Sequence, residues 1–158
     1  MTILRYFAAM IPGDINQQKT KVSLEIIDLQ SEGFHPLIAV TLFGKGFILV
    51  LDTGASKTAF DKTLLFEANP SIRMTLSDRL STGLGTNNMA SYTAVIDDLT
   101  IGDLLIEEFE AAVLDLSAIN IAYAQLNHPR VLGVLGGDIL MKYKAVIDYG
   151  ERLLWLGK

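Results

Sequence analysis

One stretch decides the fold of this chain: FILVLDTGAS, at residues 47–56. Five apolar residues in a row are typical of a strand that is buried on both faces, and an acid follows them directly. A carboxylate at the end of a core strand is costly to remove from water, and buried acids on tight turns often serve catalysis. Gly54 permits the sharp turn that must follow. Taken alone, the triplet favours a simpler interpretation, in which Asp52 caps a turn after a strand.

Two later segments favour a catalytic role for Asp52 over a simple turn cap. Residues 81–86 read STGLGT, a polar stretch with two glycines, and residues 131–140 read VLGVLGGDIL, an apolar run that is broken by glycines. Together with LVLDTGAS at residues 49–56, they resemble the flap, the apolar-apolar-Gly segment and the active-site loop of retropepsin-like aspartic proteases. Their order and rough spacing are similar to those of the single-domain bacterial members. The resemblance extends from Val22 to the C-terminus.

This resemblance implies an all-β fold, a half-barrel with one or two short helices, assembled as a symmetric dimer. It implies that Asp52 is the catalytic acid. The loop that supports this acid then consists of Thr53, Gly54, Ala55 and Ser56, and Thr53 is expected to bond across the dimer axis.

The flap and the dimer contacts follow from the same resemblance. Gly83, Leu84 and Gly85 are expected to close over an extended peptide substrate. Viral members usually carry an arginine after the glycine of the second motif, where it helps to hold the dimer together. This chain has Gly137 in that place, so the dimer contacts are expected to differ from the viral pattern.

A single Asp-Thr-Gly motif supplies one carboxylate, whereas aspartic proteolysis uses two that share a proton. A two-fold axis brings identical residues face to face, so the second carboxylate is expected from another copy of the chain. The expected function is that of an endopeptidase that acts on extended polypeptide segments as a homodimer. The alternative is a dimeric peptide-binding or scaffold module on the same fold with weak or absent hydrolysis, because fold does not fix function.

Other candidate sites are weaker. Ser56 has no histidine nearby in sequence and no Gly-x-Ser-x-Gly pattern around it, so it is a poor nucleophile. His35 and His128 each adjoin a proline, which is typical of a turn, and the chain has no cysteine. A metal site is therefore not expected. The resemblance implies that no cofactor is needed, since the acid dyad activates water itself. Asp115 is interpreted as a turn residue, and Asp138 as a helix N-cap or first-turn acid.

Composition limits the remaining possibilities. The 158 residues are 50% hydrophobic and 20% charged, which suits one domain with its own core. A net charge of −5 and the lack of a basic patch argue against nucleic acid as a partner. The apolar segment at residues 3–11 is too short to span a bilayer. Residues 1–21 are interpreted as an N-terminal arm and linker, and residues 22–158 as the protease domain. A cytoplasmic location is expected, with a signal or anchor at the N-terminus left open.

The pattern of apolar residues also predicts individual elements. A hairpin is expected from strands at residues 36–43 and 47–51 around Gly44-Lys45-Gly46. Helical segments are expected at residues 57–65, 117–126 and 137–143. Several short strands with glycine turns complete the all-β prediction.

Overall fold

The computed structural model describes residues 19–77 and 91–157. These residues form thirteen strands, three short α-helices and one 3-10 turn at Gln30–Glu32. The all-β prediction is confirmed, with three α-helices where one or two were expected. The strands are β1 (Lys19–Ser23), β2 (Glu25–Asp28), β3 (Phe34–Leu42), β4 (Lys45–Leu51), β5 (Ala59–Asp61), β6 (Thr75–Leu76), β7 (Tyr92–Ile96), β8 (Thr100–Ile101), β9 (Leu104–Leu105), β10 (Phe109–Leu114), β11 (Gly133–Leu135), β12 (Val146–Asp148) and β13 (Leu153–Gly157). The helices are α1 (Lys62–Ala68), α2 (Ser117–Gln125) and α3 (Gly137–Lys142).

The described strands form two sheets. The large sheet has the order β6-β7-β10-β5-β11-β4-β3-β8-β9, and β2 also pairs with β3. The small sheet has the order β1-β13-β12 and is antiparallel throughout. Because β1 begins at Lys19, it crosses the boundary that was placed between residues 21 and 22. That division into arm and domain stays a prediction, and residues 1–18 lie outside the described part of the chain.

The predicted hairpin of β3 and β4 is present, but its turn was placed one residue too late, because Lys45 and Gly46 already pair within the hairpin. Its turn has two residues, Phe43 and Gly44, because Leu42 pairs with Lys45. Both turn residues have positive φ, 52° and 69°, and the combination suits the right-handed twist of a hairpin. The side chain of Asp98 accepts a hydrogen bond of 2.9 Å from the Phe43 N–H, which holds this unusual conformation.

Strand β4 is buried on both faces, which explains its unbroken apolar sequence. Leu49 and Leu51 belong to the main core. Val50 points to the opposite face and packs in a second, smaller cluster. The buried members of this second cluster are Ile27, Leu37, Val50, Tyr123 and Val131.

Strand β11 is inserted between β4 and β5, and this insertion requires glycine. It runs parallel to β4 and antiparallel to β5. A Cβ atom on Gly133 would lie 2.0 Å from the carbonyl oxygen of Ala59. A Cβ atom on Gly136 would lie 2.5 Å from the carbonyl carbon of Lys57. Neither position has room for a side chain, because the atoms in the way are backbone.

A buried acid links the two helices that flank this region. Asp61 is the N-cap of α1, and its Oδ1 accepts a hydrogen bond of 2.9 Å from the Leu64 N–H. Its Oδ2 accepts one of 2.8 Å from the Leu116 N–H, directly before α2. One carboxylate therefore satisfies backbone donors at the start of two helices, which is the usual condition for a buried charge.

We expect Gly133→Ala to lower the free energy of unfolding by about 1–3 kcal/mol or more, because the new methyl group overlaps backbone of β5. Gly46→Ala is the matched control, since nothing lies within 4 Å of a Cβ atom built there. It should change the free energy of unfolding by less than about 1 kcal/mol. Urea unfolding of the three proteins measures both values, and equal losses in the two variants would contradict the packing argument.

Candidate active site

Asp52 lies at the point where β4 leaves the core. Leu51 is buried, Asp52 is half-buried, and Thr53 and Gly54 are exposed. The Asp52 N–H donates a hydrogen bond of 3.1 Å to the carbonyl oxygen of Leu135, the last residue of β11. The acid is thus fixed to the end of the inserted strand, and its side chain reaches the surface of the single chain.

The turn after Asp52 holds one oxygen of its carboxylate. Oδ1 accepts hydrogen bonds from the N–H groups of Gly54, at 2.9 Å, and Ala55, at 3.3 Å. Among residues 19–77 and 91–157, no group donates a hydrogen bond to Oδ2 of Asp52. A Cβ atom on Gly54 would lie 3.2 Å from Oδ1, which is a tight contact. The turn therefore orients the carboxylate with one oxygen bound and the other free for chemistry.

A hydrogen-bond network joins the end of this loop to α3. Thr58 is fully buried, and its hydroxyl donates to Oδ1 of Asp138 at 2.8 Å and accepts from the Gly136 N–H at 3.0 Å. The same carboxylate oxygen accepts from the Thr58 N–H at 2.9 Å. Asp138 lies in the first turn of α3, as predicted. The contact with Thr58, 80 residues away in the chain, was missed from the sequence.

The backbone of Ala55 and Ser56 completes the attachment. The Gly137 N–H donates to the Ala55 carbonyl at 2.8 Å, and the Asp138 N–H donates to the Ser56 carbonyl at 3.2 Å. A Cβ atom on Gly137 would lie 3.4 Å from the Ala55 carbonyl oxygen, an ordinary contact distance. Unlike Gly133 and Gly136, Gly137 has room for a Cβ atom, so packing alone does not require glycine there.

Both histidines contact the side chain of Tyr123 in α2. His35 lies in β3, so the prediction of a turn at this position was wrong. Its Nδ1 is 2.6 Å from the hydroxyl of Tyr123. The ring of His128, just after α2, packs edge-on against Tyr123 at 6.2 Å. Its Nε2–H donates to the Asp28 carbonyl at 2.6 Å.

Tyr123 is almost completely buried, and its environment changes its acidity. Burial raises the pKa of Tyr123 to about 12, and the negative charge of Asp52 contributes in the same direction. The hydroxyl is therefore neutral over the whole range in which a peptidase would work. No feature of the sequence pattern singled out this residue, because the partner of its hydroxyl, His35, lies 88 residues away in the chain.

Of the remaining predicted residues, Asp115 is described by the structure and the three flap residues are not. Asp115 is exposed, its Oδ1 accepts a hydrogen bond from the Ser117 N–H, and hydrogen bonds from Ser117 lower its pKa. It is a turn residue, as predicted. Gly83, Leu84 and Gly85 fall outside the described residues, so the flap stays a prediction.

No group of three or more His, Cys, Asp or Glu side chains in residues 19–77 and 91–157 is arranged to hold a metal ion. No helix in these ranges is long and apolar enough to cross a membrane.

The sequence matches a family model described as aspartyl protease over residues 38–139. This match covers more than half of the chain and includes Asp52, Thr58 and Asp138. No curated protein matches the chain.

Several solved structures share the fold. A retropepsin-like aspartic protease from Rickettsia conorii superposes with a TM-score of 0.54 at 18% identity, covering 90% of this chain and 94% of that chain. EIAV protease in complex with the inhibitor HBY-793 gives 0.53 at 19% identity, covering 72% and 92%. The retroviral protease-like domain of Ddi1 from Leishmania major gives 0.51 at 12% identity, covering 76% and 86%.

The structural likeness confirms the fold that the sequence motifs predicted, and the family match supports aspartic protease activity in general. The family match spans the acid, its turn and the helix that anchors them. The chain therefore belongs to the aspartyl protease family and has a retropepsin-like fold.

Proposed function

We propose that this protein is an aspartic endopeptidase that cleaves extended polypeptide segments, with its water activated by two copies of Asp52 across a homodimer. One observation carries the proposal. Asp52 leaves a core strand with Oδ1 held by two backbone N–H groups and Oδ2 free of described partners. Activation of a water molecule requires a carboxylate whose orientation is fixed and which keeps one oxygen available to accept a proton.

The chemistry follows from pairing two such acids. Two carboxylates about 3 Å apart cannot easily both be ionised, so they share one proton. The ionised group accepts a proton from water, whose oxygen attacks the peptide carbonyl carbon, while the protonated group donates to the carbonyl oxygen. When the tetrahedral intermediate breaks down, the C–N bond breaks, the departing nitrogen takes up the proton that the first carboxylate had accepted from water, and a hydroxyl of the intermediate gives its proton to the second carboxylate, which restores the dyad. The net reaction consumes one water and needs no cofactor.

The second carboxylate is proposed to come from another copy of the chain. Within the described residues, the acids of the surrounding loops are engaged elsewhere: Asp138 binds Thr58, and Asp115 forms its own turn. Thr53 and Gly54 are exposed beside Asp52 in the single chain, so a partner loop has direct access to it. A two-fold axis at this surface would bring the two Asp52 side chains together.

The substrate cleft is proposed to form only on assembly. The single chain has an open groove of about 480 Å³ over the β3-β4 hairpin and another of about 420 Å³ beside α2. Asp52 lines neither of them. Binding of an extended peptide by main-chain hydrogen bonds therefore depends on a surface that two copies create together.

We expect the purified protein to cleave members of a diverse peptide library at mildly acidic pH, and Asp52→Asn to abolish cleavage. The rate should fall on the alkaline side as both carboxylates ionise. New termini read by mass spectrometry measure the cleavage. Asp115→Asn makes the same chemical change at an exposed turn acid and should leave the activity intact. Peptide binding that survives Asp52→Ala, with no cleavage by the parent dimer, would favour the binding-module alternative instead.

A mixing experiment tests whether the dyad spans two chains. When wild-type and Asp52→Asn subunits exchange at equal amounts, only about a quarter of the dimers keep two intact acids. The activity per wild-type subunit should therefore fall by about half. Mixing with Asp115→Asn subunits is the control and should cause no fall. An activity per wild-type subunit that is unaffected by Asp52→Asn would mean that each chain works alone.

A further inference from the structure

The strand register brings a histidine across from the proposed catalytic acid. β3 and β4 pair antiparallel, and the last pair toward the active-site loop is Leu37 with Val50. Side chains alternate along a strand, so His35 lies on the same face as Leu37, and Asp52 on the same face as Val50. Extending this register by two residues would bring His35 opposite Asp52, and the Tyr123 hydroxyl that His35 contacts at 2.6 Å is within reach of the negative charge of Asp52.

Tyr123 fixes the ring of His35 in this position. It is 3% exposed and is the one polar side chain among the buried members of the second cluster. A buried hydroxyl needs a hydrogen-bond partner, and the Nδ1 of His35 provides it at 2.6 Å. The contact joins α2 to β3 on the face of the sheet that carries Asp52.

We propose that His35, held by Tyr123 across from Asp52, is a positioning residue for the dyad: its protonated ring favours the ionised carboxylate and extends activity to lower pH. This inference rests on the proposed function. His35 does not exchange protons with substrate in this scheme. It acts through the charge state of the carboxylates.

The hydrogen bond between the two side chains survives a change in protonation. With a neutral ring, the Tyr123 hydroxyl donates to Nδ1; with a charged ring, the Nδ1–H donates to the Tyr123 oxygen. The phenol itself stays neutral, because burial and the charge of Asp52 raise the pKa of Tyr123 to about 12. In its protonated form the ring carries a positive charge, and both of its nitrogens are donors.

Among the titratable groups around His35, His128 is a matched control for substitution of His35. The titratable groups on the elements packed around it are Glu25 and Asp28 on β2, Lys45 at the far end of β4, Asp52, Tyr123 and His128. His128 contacts the same tyrosine ring, but its Nε2–H is bound to the Asp28 carbonyl, and it has no place in the register with Asp52. It matches His35 in residue type and in its contact with Tyr123.

The first test compares pH profiles of kcat/KM. For His35→Gln, which keeps a hydrogen-bonding side chain but carries no charge, we expect the acid limb to move up by about 0.5–1 pH unit, since a nearby opposite charge favours ionisation. His128→Gln should leave the acid limb in place. Tyr123→Phe, which frees the His35 ring, should move it in the same direction by a smaller amount. Coincident profiles for folded His35→Gln and the parent would overturn the proposal, as would an equal shift in His128→Gln.

A second readout does not depend on proteolysis, so it separates failure of this inference from failure of the proposed function. NMR titration of the two histidine rings is carried out in the parent and in Asp52→Asn. The pH midpoint of the His35 signal should fall when the negative charge is removed, and that of His128 should not change. An unchanged His35 midpoint overturns the inference even if the enzyme is active. A lowered midpoint supports the contact even if no peptide is cleaved.

Discussion

The position of the acid depends on a strand, β11, that is inserted between two others, with backbone too close for a side chain at Gly133 and at Gly136 directly after it. β11 fits between β4 and β5 only because Gly133 and Gly136 lack a Cβ atom. The strand then binds the Asp52 N–H through the Leu135 carbonyl, and the chain enters α3 directly. Since close-packed interiors relax little when atoms are added, a change at either glycine would displace the attachment point of the acid as well as the core.

Thr58 and Asp138 hold the other end of the loop. One carboxylate oxygen accepts from the Thr58 hydroxyl and N–H, and the hydroxyl accepts in turn from Gly136. Buried networks of this kind are rigid when every member has a partner. Residues 52–58 are therefore fixed at both ends by the segment 135–138. A catalytic group needs this rigidity, because small displacements of a reacting group are costly in rate.

The features that could be predicted from the sequence were those set by residues close together in the chain. The apolar run before Asp52 predicted a doubly buried strand, and the helical patterns near residues 117–126 and 137–143 predicted α2 and α3, because these signals are local. Residues 57–65 predicted a helical turn, but their middle part forms β5, since pairing with β10 and β11 overrides local preference.

His35 was assigned to a turn because of Pro36, yet β2 pairs alongside it. The bonds from Tyr123 to His35 and from Asp138 to Thr58 span 88 and 80 residues. Patterns along one chain carry no information about such contacts.

Gly137 occupies the place where the viral members that this chain resembles usually carry an arginine that helps to hold the dimer together. In this chain, backbone hydrogen bonds from residues 137 and 138 hold the loop without help from an arginine side chain. In the proposed dimer, assembly would depend on other surfaces and on the acids themselves. If two Asp52 carboxylates meet at the axis, the approach of two like charges opposes association unless one proton is bound between them. By linkage, whatever favours the singly protonated pair also favours the dimer. The proposed enzyme would therefore gain its second carboxylate and its working protonation state in the same step, which makes the acid side of neutrality the natural range for both.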